Sequence, residues 1–201
     1  MPFLSTVDAD MVAYRQGKTR KGSYAAYIDI DHPDIIEFIR CKQNETELTA
    51  FNISVGVTDA FMEALKKDDT YPLKFKGRTY DKIKARPLWE MIMQNTWDWS
   101  EPGVLFIDRI NEMNNLWYCE SIHATNPCGE QPLPPYGACL LGSINLARLV
   151  SDPFGDAAAL DEGQLTELVG TAVRMMDNVV DASKFPLEAQ AREAAAKRRI
   201  G

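Results

Sequence analysis

Apolar residues in this chain fall into short runs and helical stripes that alternate, the pattern of an α/β domain with parallel strand pairs. Residues 24–30 (YAAYIDI) are aromatic and β-branched and predict a strand. Asp31-His32-Pro33-Asp34 predicts a turn with Pro33 near a helix start, and Ile35, Ile36 and Ile39 supply the apolar face of that helix. Residues 51–57 (FNISVGV) alternate apolar with small or polar side chains and run into Thr58, an expected N-cap for a helix through Lys67. Residues 71–87 carry Pro, Gly and many Lys and read as loop. Leu88, Met91, Ile92 and Asn95 then mark a helix, and residues 103–107 a buried strand.

Residues 125–142 hold four prolines and three glycines, so regular structure should fail there. Leu165, Leu168, Val169, Ala172, Val173, Met176, Val179 and Val180 follow at helical spacing, the cleanest such stripe in the chain, and that face must pack on something. A last Ala-rich segment opens with Pro186 and pairs Glu188 with Arg192 at i, i+4. About four strand signals cannot close a barrel, and a parallel sheet needs both faces covered. The chain therefore reads as an interior portion of a larger domain.

Composition narrows the function classes. The 201 residues carry a net charge of −7, which argues against general nucleic-acid binding, because gripping phosphates takes an excess of Lys and Arg. The longest apolar runs fall far short of a spanning helix, so no membrane segment is expected. Residues 1–8 (MPFLSTVD) lack a basic leader and an apolar block, which points to the cytoplasm. There Cys41, Cys119, Cys128 and Cys139 should be thiols, and any disulfide is catalytic sooner than structural.

The chemistry concentrates in Asn126-Pro127-Cys128-Gly129-Glu130. In an extended chain, side chains at i−2, i and i+2 point the same way, so Asn126, Cys128 and Glu130 are expected to face a single ligand. That places a thiol between an amide able to hydrogen-bond a hydroxyl and a carboxylate able to take its proton. Glu130 beside Cys128 favours the neutral thiol, which suits hydrogen-atom exchange better than nucleophilic attack. His123, five residues upstream, is a candidate base. Cys139 lies eleven residues on, and two cysteines near one loop are open to a disulfide, a metal or neither. Zinc is disfavoured, since no C-x-x-C pair is present and only His32 and His123 could add ligands. Cys41 and Cys119 read as inert thiols.

The run TNPCGEQPLPPYGACLLGSINL (residues 125–146) resembles the finger loop of the ribonucleotide reductase large chain, especially its adenosylcobalamin-dependent class II form. The similarity extends, in the same order, to GKTRKGSYAAY (17–27) with DHPD (31–34), to NISV (52–55) with Thr58-Asp59, and to KRRIG (197–201). Essentially the whole chain is covered.

The resemblance implies the family's ten-stranded α/β barrel with Cys128 at the tip of a loop inside it. Strand–helix units are then expected over residues 1–124, the finger loop over 125–146 and following helices over 147–201. It implies reduction of ribonucleoside di- or triphosphates to deoxyribonucleotides, with a disulfide as acceptor. Cys128 would become a thiyl radical, Glu130 would be the base for the 3′-hydroxyl, and Asn126 would hydrogen-bond the substrate hydroxyls, with Gly129 in the same substrate loop. Cys139 matches one member of the reducing cysteine pair. The other, carried by an early barrel strand in the family, has no counterpart among these residues, and most of the phosphate site is expected beyond residue 201. Residues 15–23, with Arg15, Gln16, Gly17, Lys18, Thr19, Arg20, Lys21 and Gly22, resemble the specificity loop between effector and base. The implied cofactor is adenosylcobalamin without zinc. The implied partners are deoxynucleotide or ATP effectors, a thioredoxin-like reductant and a second copy in a homodimer, with no membrane and no direct nucleic-acid contact. Lys197, Arg198 and Arg199 read as a helix C-terminal charge complement. The competing readings are a non-catalytic remnant or interaction module of the same barrel, and a simple thiol or zinc site.

Overall fold

A computed structural model describes residues 2–15, 22–44 and 46–201. They form two compact units, Met1–Pro134 and Pro135–Gly201, so the boundary falls inside the expected loop 125–146.

The first unit opens with helix α1 (Pro2–Arg15) and is built on a parallel sheet ordered β1 (Tyr24–Asp29), β2 (Phe51–Val57), β5 (Gly103–Phe106). β2 is central because its side chains suit burial on both faces: Phe51, Ile53, Val55 and Val57 are all buried. Gly56 is needed within that strand, since a Cβ there would collide with the Tyr27 hydroxyl. Helices α2 (Ile35–Arg40), α3 (Asp59–Lys66) and α4 (Ala85–Trp99) supply Ile35, Phe38, Ile39, Phe61, Leu65, Leu88 and Ile92 to the same core. The expected cap is in place, with the Thr58 hydroxyl accepting from the Phe61 amide at 3.2 Å.

The segment 71–87 departs from the loop reading. It holds an antiparallel hairpin, β3 (Thr70–Phe75) and β4 (Arg78–Lys84), followed by the start of α4. Tyr71, Leu73 and Ile83 turn to the core while the lysines stay in water, and Lys76-Gly77, both at positive φ, make the tight turn. A register shift at Leu73/Lys74 breaks the alternation that would have revealed the pair.

Two polar pairs tie segments of this unit together: one at the amino end of β2, the other between α4 and the segment after α2. Lys42 pairs with Glu101, both largely buried; Glu101 accepts from the Ile53 amide at 3.2 Å, and Lys42 donates to the Phe51 carbonyl at 2.5 Å. Asn95, 5% exposed, donates to the Met91 carbonyl and accepts from Gln43, so its burial leaves neither end unpaired. After β5, short helix α5 (Ile107–Glu112) leads through residues 113–123 to a two-residue pair, β6 (Ala124–Thr125) with β7 (Pro132–Leu133).

The second unit contains a 3-10 turn (Leu146–Leu149), a small pair β8 (Val150–Ser151) with β9 (Ala159–Leu160), and helices α6 (Glu162–Ala182) and α7 (Glu188–Lys197). Residues 147–201 are therefore not helices alone. Asp161 caps α6 by accepting from the Gln164 amide, and Glu188 pairs with Arg192 at 2.9 Å as expected. Leu168, Val169, Val173 and Val179 of the α6 stripe are exposed, whereas Val180 is buried. Arg198, expected as a charge complement to its own helix, instead clamps α6: it bonds Asp177 at 2.5 Å and Asp181 at 2.7 Å. Among the described residues no closed barrel forms; the largest sheet has three strands. No helix of the described residues is long and apolar enough to cross a membrane.

Candidate active site

Cys128 stands at the tip of a β-turn between β6 and β7. The Gly129 amide donates to the Asn126 carbonyl at 3.0 Å, which closes the turn with Pro127 and Cys128 as its central residues. Proline suits the first of these positions because its φ is already set. Gly129 follows at φ +85°, where a side chain would be strained, and the Asn126 amide then meets the Gln131 carbonyl at 3.1 Å. The segment is thus a closed hairpin tip and not the extended chain expected from the sequence. Alternation does not bring Asn126 and Glu130 together here; the turn does.

Within it, the Asn126 side-chain amide donates to the Glu130 carboxylate at 2.6 Å, while its carbonyl oxygen accepts from the Gln131 amide at 3.0 Å. Both ends of Asn126 are fixed. The thiol of Cys128 is exposed. The arrangement can offer a sulfur to an incoming molecule beside a carboxylate that is already oriented.

Asn111, which sequence reasoning missed, anchors the approach to this turn. Its side chain donates to the Ile122 carbonyl and accepts from the Ile122 amide, both at 2.8 Å, and also donates to the Ile107 carbonyl at 3.0 Å. Ile122 is buried, so the chain is pinned two residues before β6. A lone Asn in a helix carries no period or motif that announces such a role.

A second polar surface lies at the carboxyl ends of the parallel strands, where open α/β sheets hold ligands. The Tyr27 hydroxyl donates to Asp29 at 2.7 Å, and burial, followed by Asp29, pushes that hydroxyl well above the ordinary tyrosine range. Burial and then the charge of Asp29 raise Asp31 as well, with Lys74 opposing. Asp108 accepts from the Asp59 amide at 2.8 Å, and Arg109 bridges Asp59 at 3.1 Å and Glu112 at 2.8 Å. An acid at or just after each strand was the available signal.

The remaining expected residues lie elsewhere. Cys139 belongs to the second unit and is partly buried; burial raises its thiol and Arg199 lowers it. Gln16, Gly17, Lys18, Thr19, Arg20 and Lys21 of the expected specificity loop lie outside the described residues, Arg15 ends α1, and Gly22 precedes β1. His123 is exposed. Among the described residues no group of three or more His, Cys, Asp or Glu is placed to hold a metal ion.

The family model described as ribonucleotide reductase, barrel domain, matches residues 1–201. The chain belongs to this family. It corresponds to part of a class II ribonucleotide reductase large chain and is 42% identical to a vitamin B12-dependent ribonucleoside-diphosphate reductase of Thermoplasma acidophilum, covering 99% of this chain and 26% of that protein. It is 39% identical to the like-named reductase of Mycobacterium tuberculosis (strain H37Rv), over 99% of this chain and 28% of that one. A putative ribonucleoside-diphosphate reductase large subunit of Frog virus 3 is 37% identical over the full chain and 37% of its own length. The chain thus spans between 26% and 37% of the length of these three relatives.

Proposed function

We propose that this chain carries the radical cysteine of a ribonucleotide reductase that makes 2′-deoxyribonucleotides in the cytoplasm, with residues 125–146 as the finger loop of a ten-stranded barrel completed by residues outside this chain. Ribonucleoside diphosphates are the favoured substrate class, being named for relatives at 42% and 39% identity. One observation carries the reading: Asn126 holds Glu130 at 2.6 Å across a turn whose tip is an exposed thiol.

In the proposed reaction the Cys128 sulfur, as a thiyl radical, takes the ribose 3′-hydrogen atom. Glu130 takes the proton of the 3′-hydroxyl, and Asn126 orients the hydroxyls while holding Glu130 in place. The 2′-hydroxyl then leaves as water. Two thiols, one of them Cys139, supply two electrons and two protons and close as a disulfide, and Cys128 returns the 3′-hydrogen. One ribonucleotide and two thiols become one deoxyribonucleotide, one disulfide and one water. A thioredoxin-like dithiol reopens the disulfide. Residues 15–23 answer to deoxynucleotide or ATP effectors in a homodimer.

The names of relatives bring adenosylcobalamin to this reading. Cys128 fits it, since its sulfur is exposed and makes no hydrogen bond or ion pair among the described residues. When bound, the cofactor supplies homolytic bond cleavage, a one-electron chemistry that side chains do not provide. Cys128 holds the hydrogen atom that is exchanged; no residue of this chain is assigned to the corrin ring.

The test is deoxynucleotide formation by the complete protein with adenosylcobalamin and a dithiol. Cys139→Ser should stop multiple turnovers with a dithiol protein as reductant while leaving Cys128 in place. Undiminished turnover would remove Cys139 from the reducing pair.

A further inference from the structure

Cys139 and Arg199 are direct neighbours across a short parallel pairing. Leu140 bridges Ile200, with the Leu140 amide donating to the Arg199 carbonyl at 3.1 Å and the Gly201 amide donating to the Leu140 carbonyl at 2.8 Å. In parallel register, residues one step back on each strand sit side by side with their side chains on one face. Both line the same small cavity, about 60 Å³, whose other walls are apolar or small: Leu140, Val180, Phe185, Ala194 and Ser183 among them. Arg199 is the charged residue of that lining. It pairs with Glu193 of α7 at 2.8 Å, and both side chains are largely buried. The adjacent Arg198 is committed to Asp177 and Asp181 of α6, so it does not share this task.

We propose that Arg199 is a positioning residue for the Cys139 thiol, its guanidinium stabilising the sulfur as a thiolate during thiol–disulfide exchange. The inference rests on the reading of Cys139 as a redox thiol and adds a residue to it. The chemistry gives the reason. When an external dithiol reduces a disulfide at Cys139, the attacking sulfur bonds to the partner sulfur and the Cys139 sulfur departs with the electron pair. The second dithiol sulfur then attacks the first, closing the dithiol's own disulfide and expelling the partner cysteine's sulfur as a thiolate, so two electrons pass to the protein, both protein sulfurs take up protons and the dithiol is oxidised. A departing thiolate in a partly buried cavity is costly unless a cation stands beside it. Burial raises this thiol, Arg199 opposes that, and the Cys139 S–H otherwise points to the Leu140 carbonyl at 3.7 Å. Glu193 holds the guanidinium in place and also tempers its charge.

The experiment is the pH dependence of iodoacetamide alkylation at Cys139 in the complete reduced protein. Peptides cut after glutamate separate Cys128 (121–130) from Cys139 (131–162) for counting by mass. Arg199→Gln should raise the apparent pKa and slow alkylation at pH 8 by roughly threefold or more, and Arg199→Lys should restore most of the rate. Glu193→Gln should act in the opposite direction and speed alkylation. A role in packing alone would move Arg199→Gln and Glu193→Gln the same way, toward faster alkylation of an opened cavity, and would overturn the proposal. So would an Arg199→Gln profile equal to the parent's. Because alkylation is read without turnover, a failed role for Cys139 in the reaction would show in Cys139→Ser turnover and not here.

Discussion

The side-chain amide of Asn126 donates to the carboxylate of Glu130 at 2.6 Å, and the thiol between them in sequence is left exposed at a turn tip. In the proposed reaction this pair fails in two distinct ways. Glu130→Gln keeps the hydrogen-bonding shape but loses the base, and kcat should fall by roughly 10²–10⁴ with nucleotide affinity little changed. Asn126→Ala leaves the base untethered and should cost less. Because the two act as one unit, the double variant should be no worse than the sum of its parts and close to Glu130→Gln. Steady-state kinetics of the complete protein would check this, and strictly multiplicative losses would separate the two roles.

Asn111 should matter although it is remote from any substrate. It grips both backbone groups of Ile122 at 2.8 Å. Asn111→Ala leaves that amide and carbonyl without their partner and should cost about 1–3 kcal/mol of local stability. Hydrogen exchange should quicken across residues 121–133, with kcat lowered more than KM is raised.

The parts that were legible in sequence are those where one physical signal acts alone. β2 was readable at both ends because its buried side chains and the Thr58 cap agree. The β3–β4 hairpin was not, because lysines on its wet face and a register shift at Leu73/Lys74 hide the core pattern of Tyr71, Leu73 and Ile83. At the candidate site, residue types were readable but geometry was not: Pro127 and Gly129 excluded a helix correctly, yet they build a closed turn where an extended chain was expected. Asn111 was invisible, since its value lies in contacts eleven residues away.

Breaking the Lys42–Glu101 pair from one side should destabilise the first unit. Glu101→Gln leaves the Lys42 ammonium largely buried beside a neutral amide and weakens the bond from Ile53. The expected loss is about 2 kcal/mol or more at neutral pH. Urea unfolding followed by fluorescence would show it as a lower midpoint with an unchanged slope.

Cys41 gives a pH signature. Burial pushes its thiol up to about 11, with Lys42 opposing. A thiol raised in the folded state contributes stability that is present below the unfolded thiol value, about 8.5, and is lost as pH rises toward 11. The urea midpoint should therefore decline over that window, and Cys41→Ala should flatten the decline. At pH 8.5 the exposed Cys119 and Cys128 should be alkylated well before Cys41.

Replacement of the sulfur itself tests the central claim most directly. Cys128→Ser in the complete protein, supplied with adenosylcobalamin, a ribonucleoside diphosphate and a dithiol, should bind nucleotide like the parent and form no deoxynucleotide, because a serine hydroxyl holds its hydrogen too tightly to give it up. Deoxynucleotide formation by the serine variant would contradict the account.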